Sequence, residues 1–388
     1  MNILIVTAMF PPIRTGTSFY SNNIAQTLYN QGHHIVVATV KNMDVSTENY
    51  SFAVFRLKAI HINVKNYFKH LRFSSVYVSN YKNLLKITKD NDIDAILLVN
   101  HYLDIAFPAI YVSRKLKKPL FISVGTQMQS LNPFKNKILR ILDRIICGRL
   151  IFPFSKNIIS WDGEIDRYIK EVQRKKIAQK SVIIPFGVNG DISQFNNYHH
   201  DYTITGQIIG VGAIISQRDY LFQLKVFKEL LNDFPSLKLK IIGHIYIQSP
   251  LYLADELRIR DKVEFIGELP HEQVINEMKN SAIHWMMLSA NYVGLGTATI
   301  EAMLLGIPSV SNVPENLFGK PILKDMKNYI FTDGFNTEET VKKISIIIKN
   351  QELREKIGQG GKKFVQENMN WDKVAGEMVT LFSKHIKK

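Results

Sequence analysis

The stretch NILIVTAMFPPIRTGTSFYSNNIAQTLYNQGHHIVVATV, residues 2–40, contains the repeating unit of the fold. Its apolar runs at 2–10 and 34–40 are typical of buried strands, and the segment between them has apolar residues at helical spacing. Gly32 follows that segment and suits a helix end, because glycine adopts a left-handed backbone readily. A strand, a helix and a second strand in this order predict a βαβ unit and a parallel sheet.

The same alternation continues along the chain and predicts two doubly wound α/β domains. The boundaries predicted are 1–188 for the N-terminal domain, 189–369 for the C-terminal domain and 370–388 for an amphipathic helix. Ligands of such folds bind beyond the carboxyl ends of the strands, so we expect the site in a cleft between the domains. Further strands are predicted at 95–100, 120–125, 207–214, 238–245, 262–267, 283–288 and 308–312.

The positive charge of the chain is confined to its first half. Residues 1–185 carry 26 Lys and Arg against 11 Asp and Glu, whereas residues 186–388 carry 23 of each, so the net charge of +15 arises before residue 186. The excess fits a solubilising surface, an anionic acceptor or an anionic membrane. Nucleic acid is the least favoured partner, because no RNA-binding signature or zinc-finger spacing accompanies the charge.

Several classes of protein do not fit the composition. Cys147 is the single cysteine, which rules out an intramolecular disulfide and argues against a cysteine-based metal site. No apolar run reaches about 18 residues, so we expect no membrane-spanning helix. The apolar N-terminus lacks a charged first region and a cleavage site, so we expect a buried strand there rather than a signal peptide.

The segment 132–154 suggests contact with a lipid surface. Phe134, Ile138, Ile141, Leu142 and Ile145 form an apolar stripe at helical spacing. The cationic residues around the stripe, which we predict to contact the membrane, are Lys135, Lys137, Arg140 and Arg144, with Arg149 beyond them. This combination is typical of an interfacial helix on anionic lipid, although an ordinary domain helix with a basic outer face has the same pattern.

Two positions of the first half are candidates for the site. Gly16 and Thr17 open the first predicted helix, where backbone N–H groups can approach a phosphate, although an ordinary strand-to-helix turn also uses a glycine. His101 follows a predicted strand at its carboxyl end, where a catalytic role and a structural role are both open.

The second half contributes a cation and an acid. Arg218 lies near a predicted helix start, where a guanidinium could bind a pyrophosphate or simply lie at the surface. In NYVGLGTATIEAMLLG, Gly294 and Gly296 allow close backbone approach, and Thr297 could donate its hydroxyl or cap the helix. Glu301 could accept hydrogen bonds from ribose hydroxyls or serve as a first-turn helix acid.

These motifs in this order resemble family 4 of the glycosyltransferases. The resemblance runs over nearly the whole chain, from FPPIRTGTSFYSNNIA through VIIPFGVN, GVGAIISQRDY and VEFIGELPHEQV to GLGTATIEAMLLGIPSV and MNWDKVAGEM. It implies the GT-B fold, with two Rossmann-like domains facing a central cleft and a C-terminal helix that crosses back to the first domain. It also implies retaining transfer of a sugar from a nucleotide-sugar donor, with no metal and no cofactor besides that co-substrate. On this resemblance, residues 1–188 form the acceptor-binding domain and residues 189–369 the nucleotide-sugar-binding domain.

The resemblance assigns roles to the candidate residues. Arg218 matches the pyrophosphate-binding lysine of the family, Glu301 the acid that holds the ribose, and Gly16 and Thr17 the loop that faces the donor phosphates. His101 matches a histidine near the transferred sugar, so His101 and Arg218 are the predicted catalytic residues. The remaining donor-binding residues predicted are Val293, Gly294, Gly296 and Thr297.

Two positions depart from the family pattern. Ala213 stands where the family has an arginine, and Val293 replaces the first of two acids spaced eight residues apart. A valine cannot hydrogen-bond the sugar, and losing one transition-state contact costs about 10²–10³ in rate. The departures therefore predict altered sugar recognition or turnover beside intact nucleotide binding.

The leading hypothesis is an active transferase of bacterial surface-glycan synthesis. It would act on a glycan or lipid-linked acceptor, in the cytoplasm and peripheral to the inner face of the cell membrane. Val293 and Ala213 also permit a catalytically weak homologue that binds a glycan or a partner transferase as a subunit. A third possibility is another GT-B enzyme, such as a sugar-nucleotide epimerase.

Overall fold

The chain folds into two compact units. The computed structural model describes residues 1–13, 15–41, 49–64, 68–101, 104–130, 132–187, 198–289, 294–320 and 322–386. The first unit comprises Met1–Gly187 together with Trp371–Lys388, and the second comprises Val188–Asn370. The last helix therefore returns to the first unit, as the GT-B fold implies.

The first unit is built on a parallel sheet. Its described strands are β1 (Asn2–Thr7), β2 (His34–Val40), β3 (Ala53–Leu57), β4 (Ile60–Val64), β5 (Phe68–Phe73), β6 (Ala95–Val99), β7 (Leu120–Val124), β8 (Asn157–Ser160) and β9 (Ser181–Ile183). Seven of them, in the order β3-β2-β1-β6-β7-β8-β9, form the parallel sheet, while β4 and β5 form an antiparallel pair. The order reverses between β1 and β6, which makes their carboxyl ends the switch point where α/β folds bind ligands.

Helices cover both faces of this sheet, because successive strand residues point to opposite sides. Leu4 and Val6 of β1 pack into one apolar cluster, and Ile3 and Ile5 pack into another. The helices of the unit are α1 (Gly16–Asn30), α2 (Val78–Asp90), α3 (Ala106–Leu116), α4 (Pro133–Ile146), α5 (Gly163–Val172), α6 (Lys175–Ala178) and, at the end of the chain, α13 (Trp371–Ser383). A π-helical turn, Cys147–Ile151, and a 3₁₀ turn, Phe152–Phe154, follow α4.

The second unit repeats the architecture with fewer strands. Within its described residues, six parallel strands are ordered β12-β11-β10-β13-β14-β15, so the switch point lies between β10 and β13. These strands are β10 (Gln207–Val211), β11 (Lys238–Ile242), β12 (Val263–Gly267), β13 (Ile283–Trp285), β14 (Ser309–Ser311) and β15 (Ile330–Phe331). The described helices of this unit are α7 (Tyr220–Asp233), α8 (Ser249–Glu256), α9 (His271–Lys279), α10 (Thr297–Leu304), α11 (Thr337–Lys349) and α12 (Gln351–Asn368).

The predicted strands all form, but most end earlier than predicted. β1 ends at Thr7, although its apolar run continues to residue 10. β3, β4, β5, β8, β9 and β15 are absent from the prediction; β15 contains only two residues, which gives too few positions for a periodic pattern. The helix predicted over 132–154 ends at Ile146 and is followed by the π-helical and 3₁₀ turns.

Candidate functional site

Two loops meet at the switch point of the second sheet. The loop after β10 and the loop after β13 are joined by an antiparallel bridge between Arg218 and Leu288. The backbone N–H of Asp219 donates to the carbonyl of Met287 at 3.0 Å, and that of Ser289 donates to the carbonyl of Gln217 at 3.0 Å. The loop that carries Arg218 is thereby fixed beside the chain that leads to Gly294.

The guanidinium of Arg218 lies against the end of β10. Nη1 of Arg218 donates to the carbonyl of Val211 at 3.4 Å, and a Cβ atom at Gly212 would overlap that nitrogen. Gly212 also has a φ of +147°, which L side chains rarely adopt. The glycine therefore leaves the space that the guanidinium fills and holds a positive charge at the carboxyl edge of the sheet.

The glycine-rich loop ends at the start of α10. Gly296 occupies the N-cap position with a φ of +71°, and no side chain caps this helix, so the suggestion that Thr297 caps it is wrong. Thr297 is exposed and Gly294 has a φ of +155°. Val293 lies outside the described residues, and its predicted place beside the sugar stays a prediction.

Glu301 is buried one turn into α10. The helix begins at Thr297 and has no acidic residue in its first turn, so the interpretation of Glu301 as a first-turn helix acid is wrong. The residue is 8% exposed, and its Oε1 lies 3.1 Å from Nε2 of His271 at the start of α9. Burial raises the pKa of the Glu301 carboxyl, and His271 partly offsets this effect. The contact makes His271 a neighbour of the site.

The sequence alone does not identify His271 as a site residue. Its only signal is its place in VEFIGELPHEQV, directly after a strand and at the first position of a helix. The contact with Glu301 joins residues 30 positions apart, and no local pattern encodes such a pairing.

In the first unit, Thr17 faces the neighbouring strand end. α1 begins at Gly16, and Thr15 caps it by accepting a hydrogen bond from the N–H of Ser18 at 3.2 Å. Oγ1 of Thr17 accepts a hydrogen bond from Nδ2 of Asn100 at 2.6 Å. Because Asn100 follows β6, this contact crosses the switch point between β1 and β6.

His101 lies in the interior of the first unit. Its ring is 1% exposed, stacks on Phe152 with centroids 4.9 Å apart, and has Nε2 3.7 Å from Oδ1 of Asp143. Tyr168 donates its hydroxyl to Oδ2 of Asp143 at 2.7 Å. These contacts give His101 a structural function, and its predicted contact with the sugar stays a prediction.

Among the residues that the structure describes, one group has the spacing of a metal site. The ligand atoms of His101, Asp143 and Cys147 lie within 4.8 Å of one another, and all three side chains are buried. Burial and the nearby Asp143 carboxylate raise the pKa of the Cys147 thiol, which favours the neutral form over the thiolate that binds metals. The hydrogen bonds to Asp143 also fit a metal-free polar cluster.

The helix α4 places its apolar side chains in solvent. Phe134 is 73% exposed, and Ile138, Ile141, Leu142 and Ile145 are between 40% and 49% exposed. The helix instead directs Asp143 inward, where it meets His101 and Tyr168. No helix within the described ranges is long and apolar enough to cross a bilayer. The apolar stripe of α4 therefore lies at the surface of the first unit and not in its core.

Three of the four predicted membrane cations are exposed beside that stripe. Lys135, Lys137 and Arg144 face solvent. Arg140 is partly buried and pairs with Glu171 at 2.6 Å, so part of its charge is already neutralised.

Comparison with known proteins agrees with this architecture. Residues 202–364 match the model of the family described as Glycosyl transferases group 1. An uncharacterised glycosyltransferase of Methanocaldococcus jannaschii is 23% identical over 373 residues, which cover 96% of this chain and 95% of that protein. A capsular polysaccharide biosynthesis glycosyltransferase of Staphylococcus aureus is 20% identical over 284 residues, covering 68% and 70% of the two chains.

A solved structure supports the fold over the whole chain. An Anabaena protein crystallised in complex with UDP aligns with a TM-score of 0.72 at 12% identity and covers 99% of this chain and 100% of that one. The chain therefore has the GT-B fold, and the prediction that it is a glycosyltransferase is confirmed.

Proposed function

We propose that the protein is a retaining transferase, of the family 4 type, that moves a sugar from a nucleotide-sugar donor to a lipid-linked glycan acceptor. The second unit would bind the nucleotide and the first unit the acceptor. The observation that carries the proposal is the buried carboxylate of Glu301, which lies in the group 1 domain with His271 as its partner. Buried carboxylates need hydrogen-bond donors, and the two hydroxyls of a ribose supply them.

Arg218 would stabilise the leaving diphosphate. As the bond to the sugar breaks, negative charge grows on the diphosphate, and a cation held in advance stabilises that charge without reorganisation. Gly212 provides the space that positions the guanidinium at the edge of the sheet. With the backbone N–H groups at the start of α10, Arg218 would carry out this role without a metal ion.

The acceptor would be presented at an anionic membrane surface. The exposed apolar stripe of α4, flanked by Lys135, Lys137 and Arg144, is suited to insert between lipid head groups at the inner face of the cell membrane. A role in surface polysaccharide synthesis agrees with the activity named for the staphylococcal relative.

A transfer assay in the presence of excess chelator tests the proposal. The protein is incubated with a panel of nucleotide sugars and with vesicles that contain lipid-linked acceptors, made with anionic or neutral lipid. We expect transfer with retained anomeric configuration, faster on anionic vesicles. Nucleotide binding without turnover on any donor would instead support the binding subunit, to which Val293 and Ala213 point. Conversion of the free nucleotide sugar without an acceptor would support an epimerase.

A further inference from the structure

Asn100 has an unusual position at the switch point of the first sheet. It follows β6 with a φ of +66°, in the left-handed region. Three of the other non-glycine residues with positive φ in the described ranges, Asp92, Lys117 and Arg258, come directly after helices, where this conformation is common. Asn100 instead ends a central strand, where left-handed residues are uncommon and often mark functional sites.

The side-chain amide of Asn100 is only half satisfied. The residue is 1% exposed; its Nδ2 donates to Thr17 at 2.6 Å, while its Oδ1 has no hydrogen-bond partner within the described part of the chain. Turning the amide over would only exchange the two atoms, because Thr17 can either donate or accept. A buried polar atom without a partner has lost its hydration with no hydrogen bond to offset the loss, which destabilises the fold.

Neighbouring residues fix the backbone on both sides of the Asn100 amide, so the amide cannot turn toward solvent. The backbone N–H of Asn100 donates to the carbonyl of Ser123 on the adjacent strand at 2.9 Å. The next residue, His101, is held by Asp143 and by stacking on Phe152. A partly unpaired amide that is carried on a left-handed backbone position, and held at the ligand-binding edge of a sheet, has the features of a preorganised site.

We propose that Asn100 binds a sugar hydroxyl during transfer, with Thr17 as the residue that positions its amide. A hydroxyl fits better than a phosphate, because it can pair with either atom of the amide, whereas a phosphate offers only acceptors to Nδ2. The inference rests on the proposed function, and the hydroxyl belongs either to the donor sugar or to the acceptor. Steady-state kinetics separate the two sources, since the KM of one substrate rises while that of the other stays constant.

The test uses two variants of the full chain. Asn100→Gly removes the amide but accepts the positive φ, so we expect kcat/KM to fall by about tenfold to a hundredfold with little change in melting temperature. Asn100→Asp keeps an acceptor oxygen at the same place and tolerates the same backbone, so it should retain most of the activity. Lys117→Gly is the matched control, because Lys117 also has a positive φ, of 54°, but ends α3.

The outcomes separate this inference from the proposed function. Absence of turnover by the wild-type protein on every nucleotide sugar would overturn both. A wild-type protein that turns over, together with an equally active Asn100→Gly variant, would overturn the role of Asn100 alone. If Asn100→Gly melts much earlier, Asn100→Asp decides: activity within about threefold of the wild type supports the hydroxyl contact, and a loss equal to that of Asn100→Gly refutes it.

Discussion

The two units share one sheet design but differ in their charge and in the titratable groups that they bury. The first unit, which carries the excess of Lys and Arg, buries the carboxylates of Asp143, Asp162 and Asp166. The second unit, which carries 19 Lys and Arg against 21 Asp and Glu, buries His200 and His284 besides Glu301. The sign of the surface charge therefore does not predict the interior, because buried groups are selected by the local partners that can satisfy them.

The units also use their helix faces differently. In the second unit the helices turn their apolar residues toward the sheet, as in α7, where Leu224, Phe227 and Leu230 are fully buried. In the first unit α4 turns an acid inward and its apolar stripe outward. The difference leaves an apolar surface of the first unit exposed to solvent, whereas the apolar side chains of α7 are enclosed in the core of the second.

The largest expected effect concerns the cation of the second unit. Arg218→Ala should lower kcat for sugar transfer by about 10²–10³, because it removes a preorganised charge from the leaving diphosphate. Lys238→Gln, an exposed change in the same unit, is the control and should leave kcat unaltered. Equal rates for Arg218→Ala and wild type would place the phosphate-binding charge elsewhere.

The buried histidines of the second unit should make its stability fall at low pH. Burial, with a smaller contribution from Arg218, lowers the pKa of His284 from 6.5 to about 3. The unfolded chain therefore binds a proton between these values and the folded chain does not, so stability falls as the pH drops below about 6.5. At pH 4.5 this amounts to about 2–3 kcal/mol.

At one position, Asp162, the stability of the first unit should change with pH in the opposite direction. Burial raises the pKa of Asp162 from 3.8 to about 6, so its contribution to stability is present below 3.8 and is lost as the pH rises through about 6. Hydrogen exchange measured peptide by peptide at pH 7 and pH 4.5 reports on each unit separately. His284→Leu should remove much of the acid sensitivity of the second unit, and the exposed change His199→Leu should not. Acid sensitivity that is equal in both units would break the comparison.

A smaller effect is expected at the carboxylate of Glu301 in the second unit. Glu301→Gln should weaken nucleotide binding by about tenfold to a hundredfold, because a charge-assisted hydrogen bond contributes about 1.5–3 kcal/mol. Since burial raises the pKa of this carboxyl, wild-type affinity should also fall with decreasing pH, and the variant should lack that dependence. Calorimetry in excess chelator measures both. Unchanged affinity with a large fall in melting temperature would make Glu301 a purely structural partner of His271.

The smallest effect concerns the surface of the first unit. Lys137→Gln should lower partition onto anionic vesicles by about fivefold, since each cation near such a surface contributes about 1 kcal/mol. Added salt should reduce binding of the wild type more than that of the variant. Lys82→Gln, an exposed change on α2, is the control for cosedimentation. Identical binding by all three proteins would remove α4 from the membrane contact.

Much of this protein can be predicted from local sequence. The apolar runs define the predicted strands, and the motifs define the GT-B fold, because both depend on residues that are near one another along the chain. The glycine at 296 likewise indicates where α10 begins, since a helix start depends on a few consecutive residues.

Only the tertiary structure determines the partners of the polar groups. Periodicity identifies the apolar stripe of α4, but the direction it faces depends on Asp143 meeting His101 and Tyr168, which are far away in sequence. In the same way, the contact between Glu301 and His271 and the contact between Thr17 and Asn100 form only when segments that are distant in sequence fold together. The free energy of a buried polar group depends on these distant partners. For that reason Glu301 and Thr17 could be named from the sequence, while their partners His271 and Asn100 could not.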